Sequence, residues 1–263
     1  MVEIYLENTC ERVKVEQGIC LADLARKYSS LTTYPILGAL VNNEIRDLKY
    51  KVYNPKCIRF FDITTSWGYR MYEGSVCFML YKALKDVYPE ASLYIEHSML
   101  NGMFCRIVGT ADDNETVANK IRQYMGKMVE DNISFDAKYM LAEDAFKELS
   151  KVGNKTTSRL IGDSNQLYCD INYLGDAIHK IYSKMVPSTS YLKIWDFRVY
   201  NDGFLLQMPS RQNPQILTSY YDTPRLFKIF REHREWKNLL QTLILRQIKY
   251  HFLFYLMLLH LKR

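Results

Sequence analysis

No two of the six cysteines stand as C-x-x-C, so a zinc ribbon is not expected. No apolar stretch at the N-terminus reads as a signal peptide. With no sign of export, the cysteines are expected to be buried, reduced and cytoplasmic. The G-x-G-x-x-G, H-E-x-x-H and G-x-S-x-G patterns are missing too, and with them the usual signs of dinucleotide binding, zinc proteolysis and serine hydrolysis. Gly153-Asn154-Lys155-Thr156 imitates the end of a phosphate-binding loop. It lacks the glycine before the lysine and the earlier glycine that let backbone amides wrap a phosphate, so it reads as a helix C-cap and loop. The apolar stretch His251 to Leu261 is shorter than the roughly 20 residues of a membrane span, and Arg246 and Lys249 interrupt any longer run. No internal repeat or low-complexity segment is visible.

What is present is ordinary globular material. The chain has 263 residues, 48% hydrophobic and 24% charged, enough for one large domain or two smaller ones. A net charge of +6 permits nucleic acid as a partner without demanding it. The 21 tyrosines are read as strand and half-buried surface residues rather than base-stacking ones.

Periodicity places the elements. MVEIYLE alternates as a half-buried strand does, and Arg12 to Val15 continues it. Leu21 to Tyr28 has helical spacing. Leu37 to Val41 and Glu44 to Leu48 are strands around an Asn42-Asn43 turn, and Cys57 to Ile63 is a further strand. TTSWG, Thr64 to Gly68, reads as a polar turn and a domain boundary. Arg70 to Pro89 carries Val76, Met79, Leu80, Ala83, Leu84 and Val87 on one helical face. Strands follow at Ala91 to Glu96 and Met103 to Val108, with a loop over His97 to Gly102. Helices are expected over Asn114 to Val129, with Asn114 as N-cap, and over Ala142 to Val152. Ile133 to Phe135 is an extended link. Strands close the pattern at Gln166 to Tyr173, Tyr191 to Tyr200 and Phe204 to Met208, with an Asn201-Asp202-Gly203 hairpin turn. The fold class is α+β. Residues 215 to 237 are helix-prone and basic, read as a solvated face. The tail admits three readings: a membrane-surface helix, a partner-binding helix, or a product of truncation or frameshift.

Particular phrases carry resemblances. PILGALVNNEIRDLKYKVYNPKCIRFFDI resembles a TGS domain, a β-grasp, ubiquitin-like module that implies docking or RNA contact without catalytic residues. The Arg70 helix, followed by HSMLNGMF, GDAIHKIYSKMVPST and SRQNP, resembles the N-terminal half of threonyl-tRNA synthetase. In that family the helix opens with H-x-x-x-H and a later C-x-x-x-H completes an editing site. The matching positions here hold Gly74, Phe78, Ile181 and Met185. Glycine, phenylalanine and isoleucine neither bind metal nor move protons, and methionine is at best a weak soft ligand. The resemblance therefore implies a kept scaffold with deleted chemistry, a second-additional-domain-like or pseudo-editing domain.

Polar residues beside these positions are Glu73, Ser75, Asp176, His179, Ser183, Lys184, Ser188 and Thr189. The candidate cleft is Glu73, Gly74, Phe78, His179, Ile181, Lys184 and Met185, with no catalytic, cofactor or metal residue assigned. VPSTSYLKIWDF, MPSRQNP and RLFKIFREHREW add a resemblance to the front of synthetase-fused bacterial uridine (nucleoside) kinases. This implies ATP and Mg only for a kinase domain outside this chain.

The expected organisation is a TGS domain over 1–64, an editing-like domain without metal ligands over 65–237, and an apolar, basic tail over 238–263. The expected function is the non-catalytic region of a uridine-kinase-type protein that binds a ligand, RNA or a partner domain. The alternatives are a trans-editing aminoacyl-tRNA hydrolase and an RNA-binding adaptor. RNA or tRNA and the kinase domain are the candidate partners. No transmembrane span is expected, and the expected location is cytoplasmic.

Overall fold

Alternation at the N-terminus folds as its chemistry dictates. In β1 (Val2–Leu6) Val2, Ile4 and Leu6 are buried while Glu3 and Tyr5 face outward. The computed structural model describes residues 1–99, 102–217, 225, 228–232, 235–236 and 239–240. The chain forms two compact units, residues 1–219 and 220–263.

The first unit begins with β1, β2 (Glu11–Val15), β3 (Ile19–Cys20), α1 (Leu21–Lys27), β4 (Gly38–Val41), β5 (Glu44–Asp47), β6 (Lys51–Val52) and β7 (Lys56–Phe61). One sheet runs β2-β1-β7-β4-β5, with β1 and β7 parallel at its centre and the other pairs antiparallel. Asn42 and Asn43 both adopt positive φ, the left-handed pair that a two-residue hairpin needs. The Asn42 side-chain oxygen accepts from the Cys57 amide at 2.9 Å. Leu21 and Leu24 of α1 join Ile4, Ile58 and Phe60 in one core.

α2 (Ser66–Val87) follows. It starts one turn earlier than the spacing predicts, so TTSWG is not a free turn. The Thr65 hydroxyl accepts from the Gly68 amide at 3.0 Å and satisfies a donor that the first turn leaves orphaned. Val76, Met79, Leu80, Ala83 and Leu84 of α2 are all fully buried. The chain continues as β8 (Ser92–Met99), β9 (Gly102–Val108), α3 (Asn114–Glu130), β10 (Phe135–Leu141), α4 (Ala142–Lys151) and α5 (Lys155–Gly162). Then come β11 (Tyr168–Leu174), β12 (Ala177–His179), β13 (Asp196–Tyr200) and β14 (Gly203–Gln207). β13-β14-β9-β8 form an antiparallel sheet, whose Cys105, Phe197, Phe204 and Leu206 share a core with α2 and α3. β10-β11-β12 form a second, backed by Ala145, Leu149 and Ile161 of α4 and α5. The architecture is mixed α and β, as expected.

Several expectations are corrected. His97 lies in β8 rather than in a loop, paired with Phe104 just after a register shift. The cap of α3 is Asp113, whose carboxylate accepts from the Thr116 amide at 3.1 Å; Asn114 is already helical. β10, α5 and β12 were not legible. Gly153-Asn154 joins two helices: Gly153 takes φ +74°, and the Asn154 side chain caps α5 by accepting from Thr157. The strand expected from Tyr191 begins only at Asp196, because Thr189–Tyr191 is a 3-10 turn. All six cysteines are free, but only Cys105 and Cys169 are buried; Cys20, Cys57 and Cys77 are half-buried, and Cys10 is exposed.

In the second unit the described residues 225, 228–232, 235–236 and 239–240 are helical. The tail reading falls on 238–263, of which only 239–240 are described. Among the described residues no helix is long and apolar enough to cross a membrane.

Candidate functional site

The middle of α2 faces the segment after β12, and here the four positions singled out in the sequence can be placed. A Cβ built on Gly74 would stand 2.2 Å from the Ser183 Oγ and 3.4 Å from both the Ile181 Cγ2 and the Met185 Cε. Gly74, Ile181 and Met185 therefore converge. The space a side chain at 74 would occupy is already taken. Phe78, one turn along, is fully buried. Its ring lies 6.1 Å from that of Phe135 and meets His179 edge-on at 6.3 Å.

Hydrogen bonds fix the segment against the helix. The Ser75 hydroxyl donates to the Met71 carbonyl at 2.6 Å and accepts from the Val186 amide at 3.0 Å. The Asn172 side chain on β11 accepts from the Ile181 amide at 3.0 Å. Thr189, fully buried, accepts from Ile133 at 2.8 Å and donates to the Met128 carbonyl at 2.5 Å. Phe135 has no distinguishing sequence signal, since its role depends on β10, which periodicity does not resolve; Asn172 lies in the strand expected over Gln166 to Tyr173, but its bond to Ile181 is set by the tertiary structure.

His179 sits at the end of β12 against the Tyr81 ring, 4.9 Å between centroids. Its Nδ1 is 3.0 Å from the Lys180 carbonyl, which can only accept, so Nδ1 carries the proton. Nε2 then accepts from the Thr157 hydroxyl at 3.4 Å. Burial pulls the His179 pKa below the ordinary histidine value, and the Lys180 carbonyl opposes that only in part. A neutral imidazole with both nitrogens engaged is a packing group.

The other polar candidates are spread around this centre. Lys184 pairs with Asp170 at 2.8 Å. Asp176 is drawn to Lys82, which also holds Asp86 at 2.8 Å. Burial raises the Glu73 pKa, with Arg70 opposing. One turn on, burial pushes the Cys77 thiol up to about 12, and Glu73 adds to the shift. Such a thiol is a poor nucleophile. His97 stacks on Phe104 in the four-stranded sheet, a different sheet from that of His179. Among the described residues no three His, Cys, Asp or Glu side chains are grouped to hold a metal.

The buried His179 gives a pH prediction. The folded chain holds it neutral, so the unfolded chain binds more protons once pH falls below the ordinary value of 6.5. Its contribution to stability is present above that pH and declines below it. Urea unfolding at about pH 7.5 and about pH 5.5 should show a stability loss that is smaller in His179→Asn. Equal losses in the two proteins would contradict the buried neutral state.

No family model matches the chain. It is similar to threonine–tRNA ligases. Against those of Clostridium kluyveri and Clostridium tetani it is 24% identical over 194 residues, 73% of this chain and 30% of theirs. Against that of Acetivibrio thermocellus it is 23% identical over 163 residues, 62% of this chain. The chain thus spans less than a third of the length of these relatives.

Proposed function

We propose that this chain is a synthetase-like region that has lost editing chemistry and retains RNA binding, with tRNA as the RNA class. The observation that carries the loss is Gly74, whose missing side chain leaves room for Ser183 at 2.2 Å from the Cβ position. Three ligands and an open water position are what a catalytic zinc normally requires. Here Gly74, Phe78, Ile181 and Met185 supply apolar packing instead, and Glu73, His179 and Lys184 form its polar margin. On this reading no metal or organic cofactor binds the cleft.

The similarity to threonine–tRNA ligases supports the RNA part, and so does the net charge of +6. The β2-β1-β7-β4-β5 sheet with α1 against it supports a β-grasp, TGS-type reading of residues 1–64. Residues 65–237 then form the editing-like part. The same reading places the region in the cytoplasm, ahead of an ATP- and Mg-dependent nucleoside kinase domain. That last part rests on the resemblance carried by VPSTSYLKIWDF, MPSRQNP and RLFKIFREHREW.

Metal analysis of chelator-free protein should find zinc well below stoichiometric. Seryl-tRNA should be deacylated at the no-protein rate, because loss of each acid–base or oxyanion group commonly costs about 100-fold or more. The same tRNA should be retained on the protein at low salt and released as salt rises, since phosphate contacts release counterions. Stoichiometric zinc with turnover abolished in His179→Ala would instead establish a trans-editing hydrolase. Failure to retain tRNA at low salt would remove the RNA part.

A further inference from the structure

The three-stranded sheet has one face that is covered at one end only: Phe135 and Leu174 pack in the core with α2, and the other end of that face is open. Met140 on β10 and Cys169 and Ile171 on β11 pack toward α4 and α5. Alternation sends Tyr139 and Tyr168 the other way, where they are 71% and 45% exposed. Tyr139 pairs with Asp170 and Tyr168 with Leu141, so the two tyrosines are diagonal neighbours. Their rings are 5.2 Å apart and within 16° of parallel. Beside them Leu167 is 71% exposed and Tyr182, beyond β12, is 85% exposed. The Lys180 ammonium lies 5.4 Å from the Tyr182 ring and donates to Gln166 at 3.3 Å. These side chains line an open recess of about 500 Å³. The carboxylate in the recess, Asp170, is already neutralised by Lys184 at 2.8 Å.

Large apolar or aromatic groups exposed together mark a binding surface more often than scattered ones do. An exposed stack of tyrosines presents a flat π-face, and Lys180 at its edge presents positive charge. That combination suits unpaired bases on a phosphate backbone, because every base can stack and no particular base edge is read. A rigid duplex keeps its bases inside and has nothing to lay on the rings.

We propose that Tyr139, Tyr168 and Tyr182, edged by Lys180, form a stacking platform for single-stranded RNA. The proposal rests on the RNA-binding reading above and locates it. The bases stack on the tyrosine rings while Lys180 meets a phosphate. Recognition is tolerant of sequence.

The test is fluorescence anisotropy with a labelled oligouridine of about 10 nucleotides, within the usual range for one small domain. A duplex RNA of the same length serves as comparison. The single strand should bind more tightly than the duplex. The pair Tyr139→Ser and Tyr168→Ser should weaken single-strand binding by about tenfold or more, while Tyr139→Phe with Tyr168→Phe stays within about twofold. Lys180→Gln should reduce the salt slope by about 0.7, one phosphate on a single strand. Both rings lie outside the core, so thermal melting should show the serine pair folded; if it does not, Lys180→Gln still decides, an unchanged salt slope overturning the platform. Single-strand binding unchanged in the serine pair overturns the platform and leaves the RNA reading standing. A serine pair that alters self-association but not RNA affinity also overturns it and marks a protein interface. Failure of the unaltered chain to bind either this strand or tRNA overturns both readings.

Discussion

Gly68→Ala should lower the stability of the chain by about 2 kcal/mol, although alanine is the better helix former. Gly68 lies in the first turn of α2. A Cβ there would stand 1.9 Å from the Asp62 carbonyl oxygen and 2.6 Å from its carbon. These are backbone atoms and cannot rotate aside. The Asp62 turn is itself held, because its carboxylate accepts from the Thr64 amide at 2.9 Å and the Thr64 hydroxyl at 2.5 Å. Its carbonyl also accepts from the Thr65 hydroxyl at 3.0 Å. Relief requires moving the start of α2, at an overpacking cost of about 3 kcal/mol against a propensity gain of about 1 kcal/mol. Gly126 in α3 is the matched control, since a Cβ there meets nothing within 4 Å. Gly126→Ala should raise the urea midpoint by the propensity term, and Gly68→Ala should lower it. Midpoints that move in the same direction would contradict a steric cost at Gly68.

Phe78→Ala should cost more, about 3–5 kcal/mol, the range for deleting a buried aromatic ring. Phe78 is fully buried among Phe135, Tyr81 and His179. Its removal leaves a cavity between α2 and the three-stranded sheet that side chains alone cannot close. The loss has a second readout. Phe78 is part of the apolar wall that keeps His179 neutral, so the variant should move the His179 titration toward the ordinary histidine value. Urea unfolding gives the first effect and NMR titration of the imidazole the second. A loss below about 1 kcal/mol would mean that position 78 is not the packing centre described.

Much of the first half of the chain is legible because its signals are local. Val2, Ile4 and Leu6 alternate, Asn42-Asn43 supplies two left-handed residues, and Val76 to Leu84 repeat at helical spacing. Each is a property of neighbouring residues and survives in isolation. The same locality explains the misses. Asp136 to Leu141 carry no strand signal because β10 is exposed along much of its length and exists as a strand by pairing with β11. α5 was hidden by Gly153, which reads as a stop and is also the joint to the next helix.

The candidate cleft divides in the same way. The sequence by itself determines that Gly74, Phe78, Ile181 and Met185 cannot hold a metal or carry a proton, because that follows from side-chain chemistry whatever the fold. That Gly74, Ile181 and Met185 meet, that Ser183 fills the place of a side chain at 74, and that His179 is buried and engaged at both nitrogens are decided only by the tertiary structure. The exposed tyrosine stack belongs there too. A tyrosine count of 21 is silent on burial, whereas antiparallel register brings Tyr139 beside Tyr168, beyond the Phe135 and Leu174 end of their sheet face that packs with α2, and both stay in solvent. Composition and spacing fix what each residue is able to do; long-range pairing and packing fix which residues do it together.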